Sequence, residues 1–409
     1  MPSGGARPIV RCGAAVLTVV SLAGCGASGG GPGRTAPPTA SAPPPSATAL
    51  PTATPALPTA TPTPAPAPPS PTPVCTTAAV LATWSVQRLA EQTVVVPVSE
   101  SDVSVVAPEV AAGAGGVILF GSSAPANLAA ALAALARGAP GGVAPLVMSD
   151  EEGGAIQRMA NLAGTMPSAR QMAATMSAAQ IQALAAQVGQ RMRAAGVTMD
   201  LAPVLDLDAG DGPSATDPDG TRSFSLDTGV ATADGLAFAA GMRSAGVVPV
   251  VKHFPGLGGA SGNTDLVAAT TLPWNVLQGA GLLPFTAAVR AHMPAVMVSD
   301  AAVPGLSSLP ASLSPAVIGT VLRGQLGFTG LVMTDSLSAV SVSAAGYSVP
   351  AAAAAALSAG ADMVMFNGDA AAIPSLTAAV VQRVAASVER DRLQDAVLHV
   401  LAAKQLSLC

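Results

Sequence analysis

From about residue 93 onward, short runs of apolar and β-branched residues alternate with longer Ala-rich segments of helical character. That is the pattern of strand and helix repeats around a parallel sheet. The spacing predicts strands at Thr93–Val98, Gly116–Phe120, Leu146–Ser149, Val197–Leu201, Val247–Lys252, Ala295–Ser299, Leu331–Thr334 and Asp362–Phe366. Between them it predicts helices over Ala124–Arg137, Ala178–Ala195, Val230–Ala245, Leu277–Ala291, Pro315–Leu326 and Pro350–Ala359, with a terminal helix over Asp391–Leu406. Eight strands alternating with helices point to an α/β fold, a single closed (β/α)₈ barrel. An open doubly wound sheet is the alternative, but it needs a phosphate-binding glycine fingerprint after the first strand, and that stretch has none.

The polar positions fall in one place along this pattern. Asp150 follows the third strand, Asp206 and Asp208 the fourth, Lys252 and His253 the fifth, Asp300 the sixth, Asp335 the seventh and Asn367 the eighth. In a barrel these strand ends share one rim, where active sites are built. Only 10% of the chain is charged, so the gathering is informative. Asp300 and Asn367 suit helix N-capping as well as they suit a site.

The N-terminus carries different information. Arg7 and Arg11 precede an apolar run from Ala14 to Ala23, too short to span a bilayer, and Leu22-Ala23-Gly24-Cys25 matches a lipobox. Residues 1–24 are therefore expected to be a lipoprotein signal peptide and Cys25 a lipidated cysteine, the membrane being met through that anchor alone. An ordinary signal peptide or a retained anchor helix is the alternative. Residues 25–74 are rich in Pro, Thr, Ala and Ser and read as a disordered spacer with room for glycans. In extended form it reaches on the order of 100 Å. The folded body is then 75–409, outside the cytoplasm, with Cys75 and Cys409 at its two ends, either joined in a disulfide or left as two free thiols. A net charge of −5 with no basic cluster argues against a nucleic-acid partner. Three scattered histidines give no metal-ligand set, so no metal or other cofactor is expected; His292 and His399 fall on helices.

Four motifs stand in order along the body. They are Ser149-Asp150-Glu151-Glu152-Gly153-Gly154 with Gln157-Arg158, Thr221-Arg222-Ser223-Phe224, Val251-Lys252-His253-Phe254-Pro255-Gly256, and Val332-Met333-Thr334-Asp335-Ser336-Leu337-Ser338. Together they resemble the signature of glycoside hydrolase family 3, nearest to its single-domain β-N-acetylhexosaminidases. The resemblance implies that Asp335 is the nucleophile of a retaining mechanism and that Asp150, Arg158, Arg222, Lys252 and His253 bind the sugar. A strand-end carboxylate suits that task, since it can stabilise an oxocarbenium-like transition state.

The resemblance fails at one loop. In those relatives, the loop after the fifth strand carries a Gly-His-Gly and then an Asp-Ser-His that supplies the general acid/base. This chain has Gly256-Leu257-Gly258 and then Asn263-Thr264-Asp265-Leu266-Val267. Matching the aspartates leaves Asp265 as the acid/base and puts Val267 where the histidine belongs. Two functions are therefore expected to compete. One is an exo-acting glycosidase that removes a terminal β-linked sugar, N-acetylglucosamine from cell-wall fragments. The other is a catalytically impaired barrel lipoprotein that binds a sugar or a partner protein. With two tryptophans and one tyrosine, a pocket for one terminal sugar fits better than a long stacking cleft.

Overall fold

The computed structural model of the protein describes residues 75–409. The expected signal peptide, the lipidation at Cys25 and the spacer lie outside them. Eight parallel strands close into a barrel in sequential order: β1 (Val94–Ser99), β2 (Gly116–Phe120), β3 (Leu146–Ser149), β4 (Met199–Asp200), β5 (Val248–Phe254), β6 (Ala295–Val298), β7 (Leu331–Ser336) and β8 (Met363–Met365), which pairs back onto β1. The sequence pattern located every one of them.

The period-2 alternation of the strands separates two cores. Ile118, Met148, Met199, Met297, Met333 and Met365 turn inward and fill the barrel as a packed interior. Methionine suits this task because its unbranched side chain adapts to an irregular space. Val96, Val117, Val251, Val298, Val332 and Val364 face outward and bury against the helices. The terminal helix, Arg390–Ala403, contributes Val400 to the interior cluster. At the start of β8 the buried Asp362 accepts from Arg323 at 2.5 Å, Arg392 at 2.6 Å and the β7 backbone N–H of Val332 at 2.9 Å, with His399 Nδ1 at 3.1 Å. His399 is thus part of a structural ion cluster away from the rim. Cys75 and Cys409 are bonded, with their Cα atoms 5.9 Å apart.

Some elements differ from the sequence expectation. The stretch Leu277–Ala291 is two helices, Trp274–Gly279 and Leu283–Arg290. Gly281 lies in the break, where a Cβ would sit 2.8 Å from Leu277 Cδ2, and Pro284 suits a first turn because it has no N–H to leave unpaired. The segment Ala316–Gln325 is wound as a π-helix. The helices Ala169–Thr175 and Ile373–Ser387 were not anticipated. β5 and β7 run further than expected, to Phe254 and Ser336, with register irregularities in their pairings between Val251 and Phe254 and between Met333 and Ser336. His253 and Asp335 therefore belong to strands. Neither Asp300 nor Asn367 is the N-cap of a helix; Asn367 accepts at Oδ1 from the N–H of Gly368. Among the described residues, no helix is long and apolar enough to cross a membrane.

Candidate active site

At the C-terminal rim of the barrel the loops enclose a cavity of about 520 Å³, in the range of small-molecule pockets. Its lining includes every residue expected to bind sugar (Asp150, Arg158, Arg222, Lys252 and His253) together with Asp335 and Asp265. Phe120 is its aromatic lining residue besides His253; neither tryptophan reaches it.

The cationic half is built around Glu152, a residue of the first motif that the sequence offered only as a fallback acid/base and not as a binding residue. Glu152 is buried and binds Arg222 through two bonds of 2.8 Å, while its Oε1 lies 2.7 Å from Lys252 Nζ. Lys252 also donates to Asp150 Oδ1 at 3.0 Å, and Arg158 lies 3.6 Å from Asp150 Oδ2. Burial alone works against the charged form of Glu152, but Arg222 and Lys252 outweigh it and hold the carboxyl well below its usual range. The same pairing raises both cations against their own burial cost, so they stay charged.

Placement of this half comes from Glu151. Its buried carboxylate accepts from the Arg158 and Met159 N–H groups at 2.9 Å, from Ser149 Oγ at 2.9 Å and from Gln157 Nε2 at 3.2 Å. These bonds fold the chain after β3 into a hairpin, Glu151–Gly153 against Ile156–Gln157. Asp150, Glu152 and Arg158 are fixed as a group by it. The hairpin needs glycine at 153, where φ is +97° and a Cβ would meet the Pro167 carbonyl at 2.2 Å. The motif contained both glutamates, but nothing in its spacing told the inward supporting residue from the pocket residue.

His253 is oriented in the same layered way. Its Nδ1 lies 2.6 Å from Asp206 Oδ2, and Asp206 also accepts the His253 and Leu257 N–H groups at 2.9 and 2.6 Å. On the other side, Nε2 lies 3.3 Å from an Arg222 nitrogen. Burial, then the Arg222 charge, pushes the imidazole down to about 4, so it is neutral near pH 7. Nδ1–H then donates to Asp206 and Nε2 accepts from Arg222. Burial pushes Asp206 upward, opposed by its N–H donors. Asp206, Asp219 and His253 bring ligand-type atoms within 4.8 Å of one another. Asp206 has both oxygens occupied by N–H donors, however, and the cation beside Asp219 is Arg222, at 3.7 Å. This arrangement holds the imidazole in place.

Facing these groups is a carboxylate region. Asp335, at the end of β7, accepts the Ser336 N–H at 2.8 Å. Burial raises its carboxyl, and Asp265 adds to the rise while the Ser336 N–H and Lys252 oppose it. Asp265 sits on the exposed loop after β5, and its partial enclosure raises it above its ordinary value, with Arg222 opposing. That loop is tied down: Gly258 packs so closely on the backbone of Leu207 that a Cβ would be 2.0 Å from its carbonyl oxygen, the Ser341 N–H donates to Thr264 O at 3.0 Å, and Ser341 Oγ donates to Val267 O at 2.8 Å. Asn263, Thr264 and Asp265 line the pocket. Val267 does not, and is 43% exposed. The sequence had set Val267 in the place of a pocket residue; the geometry gives that place to Asp265.

Residues 94–403 match the glycosyl hydrolase family 3 N-terminal domain. The chain belongs to that family. It is 41% identical over 260 residues to the β-hexosaminidase LpqI of Mycobacterium tuberculosis, a match covering 61% of this chain and 66% of the relative. A glycosyl hydrolase family 3 member from Mycobacterium smegmatis superposes with a TM-score of 0.71 at 36% identity, covering 79% of this chain and 98% of the other. The β-N-acetylhexosaminidase of Beutenbergia cavernae gives a TM-score of 0.71 at 33% identity, over 80% of this chain and all of the other. The chain thus has the closed barrel of that family, with a cavity of about 520 Å³ at its C-terminal rim.

Proposed function

We propose that the protein is a retaining, exo-acting glycoside hydrolase that removes terminal β-linked N-acetylglucosamine from cell-wall fragments. The observation that carries this reading is the arrangement of one cavity. A fixed set of hydrogen-bonding groups, Asp150, Arg158, Arg222, Lys252 and the neutral His253, lies across from the strand-held carboxylate of Asp335. The first set grips sugar hydroxyls, which donate to Asp150 and accept from the cations. Held so, the anomeric carbon meets Asp335.

In the first step an Asp335 oxygen bonds to the anomeric carbon as the bond to the leaving oxygen breaks, and protonated Asp265 gives that oxygen its proton. In the second, Asp265 takes a proton from water, the water oxygen bonds to the same carbon, and the ester to Asp335 breaks. Asp265 suits the acid role because its environment raises its proton affinity. Asp335→Ala is expected to abolish turnover of aryl β-N-acetylglucosaminides with the fold intact, and a fluorinated sugar is expected to label Asp335. Labelling of Asp150 or Asp265 would overturn the assignment.

The pocket-lining stretch Asn263-Thr264-Asp265 contains no histidine, and this favours a second reading, a sugar-binding protein without turnover. That reading takes over if no glycoside of any reactivity is cleaved while N-acetylglucosamine still binds by calorimetry. We further infer an extracytoplasmic, lipid-anchored location through Cys25. Cys25→Ala is expected to release the protein from membranes, and equal retention of both forms would refute the anchor.

A further inference from the structure

The base of the barrel, at the opposite end from the rim, holds a second pocket of about 240 Å³. Leu146 and Val248 line it from the first residues of β3 and β5, and Thr198 from just before β4, so it opens at the N-terminal ends of the strands. Two cations share its wall, Arg193 and Lys404, and no carboxylate lines it. Among the described residues neither cation forms an ion pair, whereas Arg158, Arg222, Lys252, Arg323 and Arg392 each have one. Residues 1–74 contain no Asp or Glu, so they hold no side-chain carboxylate to offer either cation.

Lys404 follows the terminal helix, whose Val400 enters the barrel interior. An ammonium has three donors. Among the described residues this one uses a single acceptor, the neutral Gln92 Oε1 at 2.9 Å, and Gln92 is itself held by giving its Nε2 to the Gly113 carbonyl at 2.6 Å. Burial without a counter-charge pushes the ammonium down to about 7. Arg193 lies against another lining residue, its Nε 3.8 Å from where a Cβ on Gly246 would stand. A helix C-terminus favours cations, which accounts for an arginine in the last turn of Ala178–Ala194. It does not account for Lys404, whose ammonium meets Gln92 and no helix carbonyl. Gln405, also in the lining, stands at φ +54° just past a helix end, where glycine is usual. Its side-chain amide has no partner among the described residues and is free to donate.

We propose that this pocket is an anion site that takes a phosphate group, with Arg193 and Lys404 as its counter-charges and the Gln405 amide as a further donor. A guanidinium offers a planar fork to two oxygens and an ammonium a point charge to one. Phosphate can give two oxygens to the fork and a third to the ammonium, which a carboxylate with two oxygens cannot do. The pocket lies at the far end of the barrel from Asp335, so the proposal does not rest on the glycosidase reading. Two sources carry the group: free phosphate, and the headgroup of an anionic phospholipid, which is available to a chain anchored at Cys25.

The test titrates the full chain with inorganic phosphate, acetate and chloride at matched ionic strength, read by calorimetry. Phosphate is expected to bind one to one, and Arg193→Gln and Lys404→Met should each weaken it about tenfold or more, the worth of a hydrogen bond between charged groups. Arg193 is exposed at a helix end, so its variant carries the test even if Lys404→Met does not fold. A second reading needs no variant. The chain has two lysines, Lys252 and Lys404, so ¹³C labelling of lysine gives two side-chain signals, and phosphate should move the Lys404 midpoint to higher pH. Sedimentation with phosphatidylcholine vesicles, with and without phosphatidylglycerol, separates the two sources. A preference for phosphatidylglycerol that Arg193→Gln abolishes assigns the lipid headgroup, and binding of inorganic phosphate without that preference assigns the free ion. Residues before Cys75 are the same in every form, so their own membrane affinity cancels from the comparison. Phosphate binding no tighter than chloride, together with no phosphatidylglycerol preference, overturns the proposal. Acetate binding as tightly as phosphate overturns it too, as does phosphate affinity unchanged in both variants.

Discussion

Removing Asp265 separates the two halves of the reaction more sharply than any other change in the pocket. It is the only ionisable side chain between Leu257 and Thr271. A general acid contributes about 10²- to 10⁴-fold. Here the carboxyl is exposed at the rim and its proton affinity is raised without any paired base to return the proton, so the lower end applies. For Asp265→Ala we expect about a 10²-fold loss of kcat/KM on alkyl or sugar leaving groups, equivalent to about 2.7 kcal/mol of transition-state stabilisation. Dinitrophenyl leaving groups depart without protonation and should lose less than about threefold in the same step. A leaving-group series run on both proteins gives the assay, with the slope of log kcat/KM against leaving-group pKa becoming steeper in the variant. Equal losses across the series would refute the acid role. Position matters as well as chemistry. Asp265→His is expected to retain turnover of poor leaving groups, because it puts an imidazole on the cavity wall. Val267→His should change nothing, since Val267 is not among the residues that line the cavity. The reverse result would restore the aspartate-matched register of the loop.

Three further outcomes concern stability. Glu152→Gln takes the shared partner from Arg222 and Lys252; Lys252 keeps Asp150 at 3.0 Å and Arg222 keeps the Pro218 carbonyl at 3.0 Å, so the loss should be near the low end for a broken buried pair, about 3 kcal/mol. Calorimetry should show Tm lower by roughly 5 °C. The pH dependence of Tm should have its maximum on the acid side of neutrality. Asp200, Asp219 and Asp300 are raised in the fold mainly by burial, so they bind more protons folded than unfolded and lose their contribution as pH rises above their ordinary 3.8. Glu152 is lowered, so its contribution is full above its ordinary 4.5 and is lost as pH falls below that value. A Tm that climbs steadily from pH 5 to 8 would contradict this balance. Reducing Cys75–Cys409, which closes a separation of 334 residues, should cost up to about 6 kcal/mol in the chain-entropy account. An unchanged denaturation midpoint after reduction would set that account aside.

How far the sequence revealed the architecture depended on what each element must bury. The barrel strands were legible because both faces of each one are covered, Met333 inward and Val332 outward in β7 for instance, and such strands read as unbroken apolar runs. Helix continuity was less legible. Leu277–Ala291 reads as one apolar run, but Gly279, Gly281 and Pro284 lie within it, and the helix breaks at Ala280-Gly281-Leu282. The supporting residues were hidden for another reason. Glu151 and Glu152 are adjacent and chemically identical, and alternation along a strand sends one into the hairpin's own hydrogen bonds and the other to Arg222 and Lys252.

The loop after β5 shows why a motif must be placed by contacts as well as by residue identity. Matching aspartate with aspartate set Asp265 against the first residue of an Asp-Ser-His and left Val267 in the place of a histidine. The cavity is lined instead by three consecutive residues, Asn263, Thr264 and Asp265, with Leu266 and Val267 exposed beyond them. Their order fits Asp-Ser-His position by position, with Asn263 in place of the aspartate and Asp265 in place of the histidine. In that register the chain has exchanged an imidazole supported by a carboxylate for a lone carboxylic acid. An imidazole near its reference value of about 6.5 gains from a carboxylate neighbour, which favours its charged, proton-donating form; an aspartate near about 3.9 needs the opposite, fewer cations and more negative charge nearby. Asn263 brings no charge to the loop, while Asp335 lies near the end of β7 and Asp300 follows the end of β6. The substitutions at 263 and 265 are therefore coherent as a pair. Restoring only one of them, by Asn263→Asp in the presence of Asp265, should shift the alkaline limb of kcat/KM to higher pH, because a second carboxylate raises the proton affinity of the acid. A limb that moved to lower pH would mean that the loop's proton is not held by Asp265.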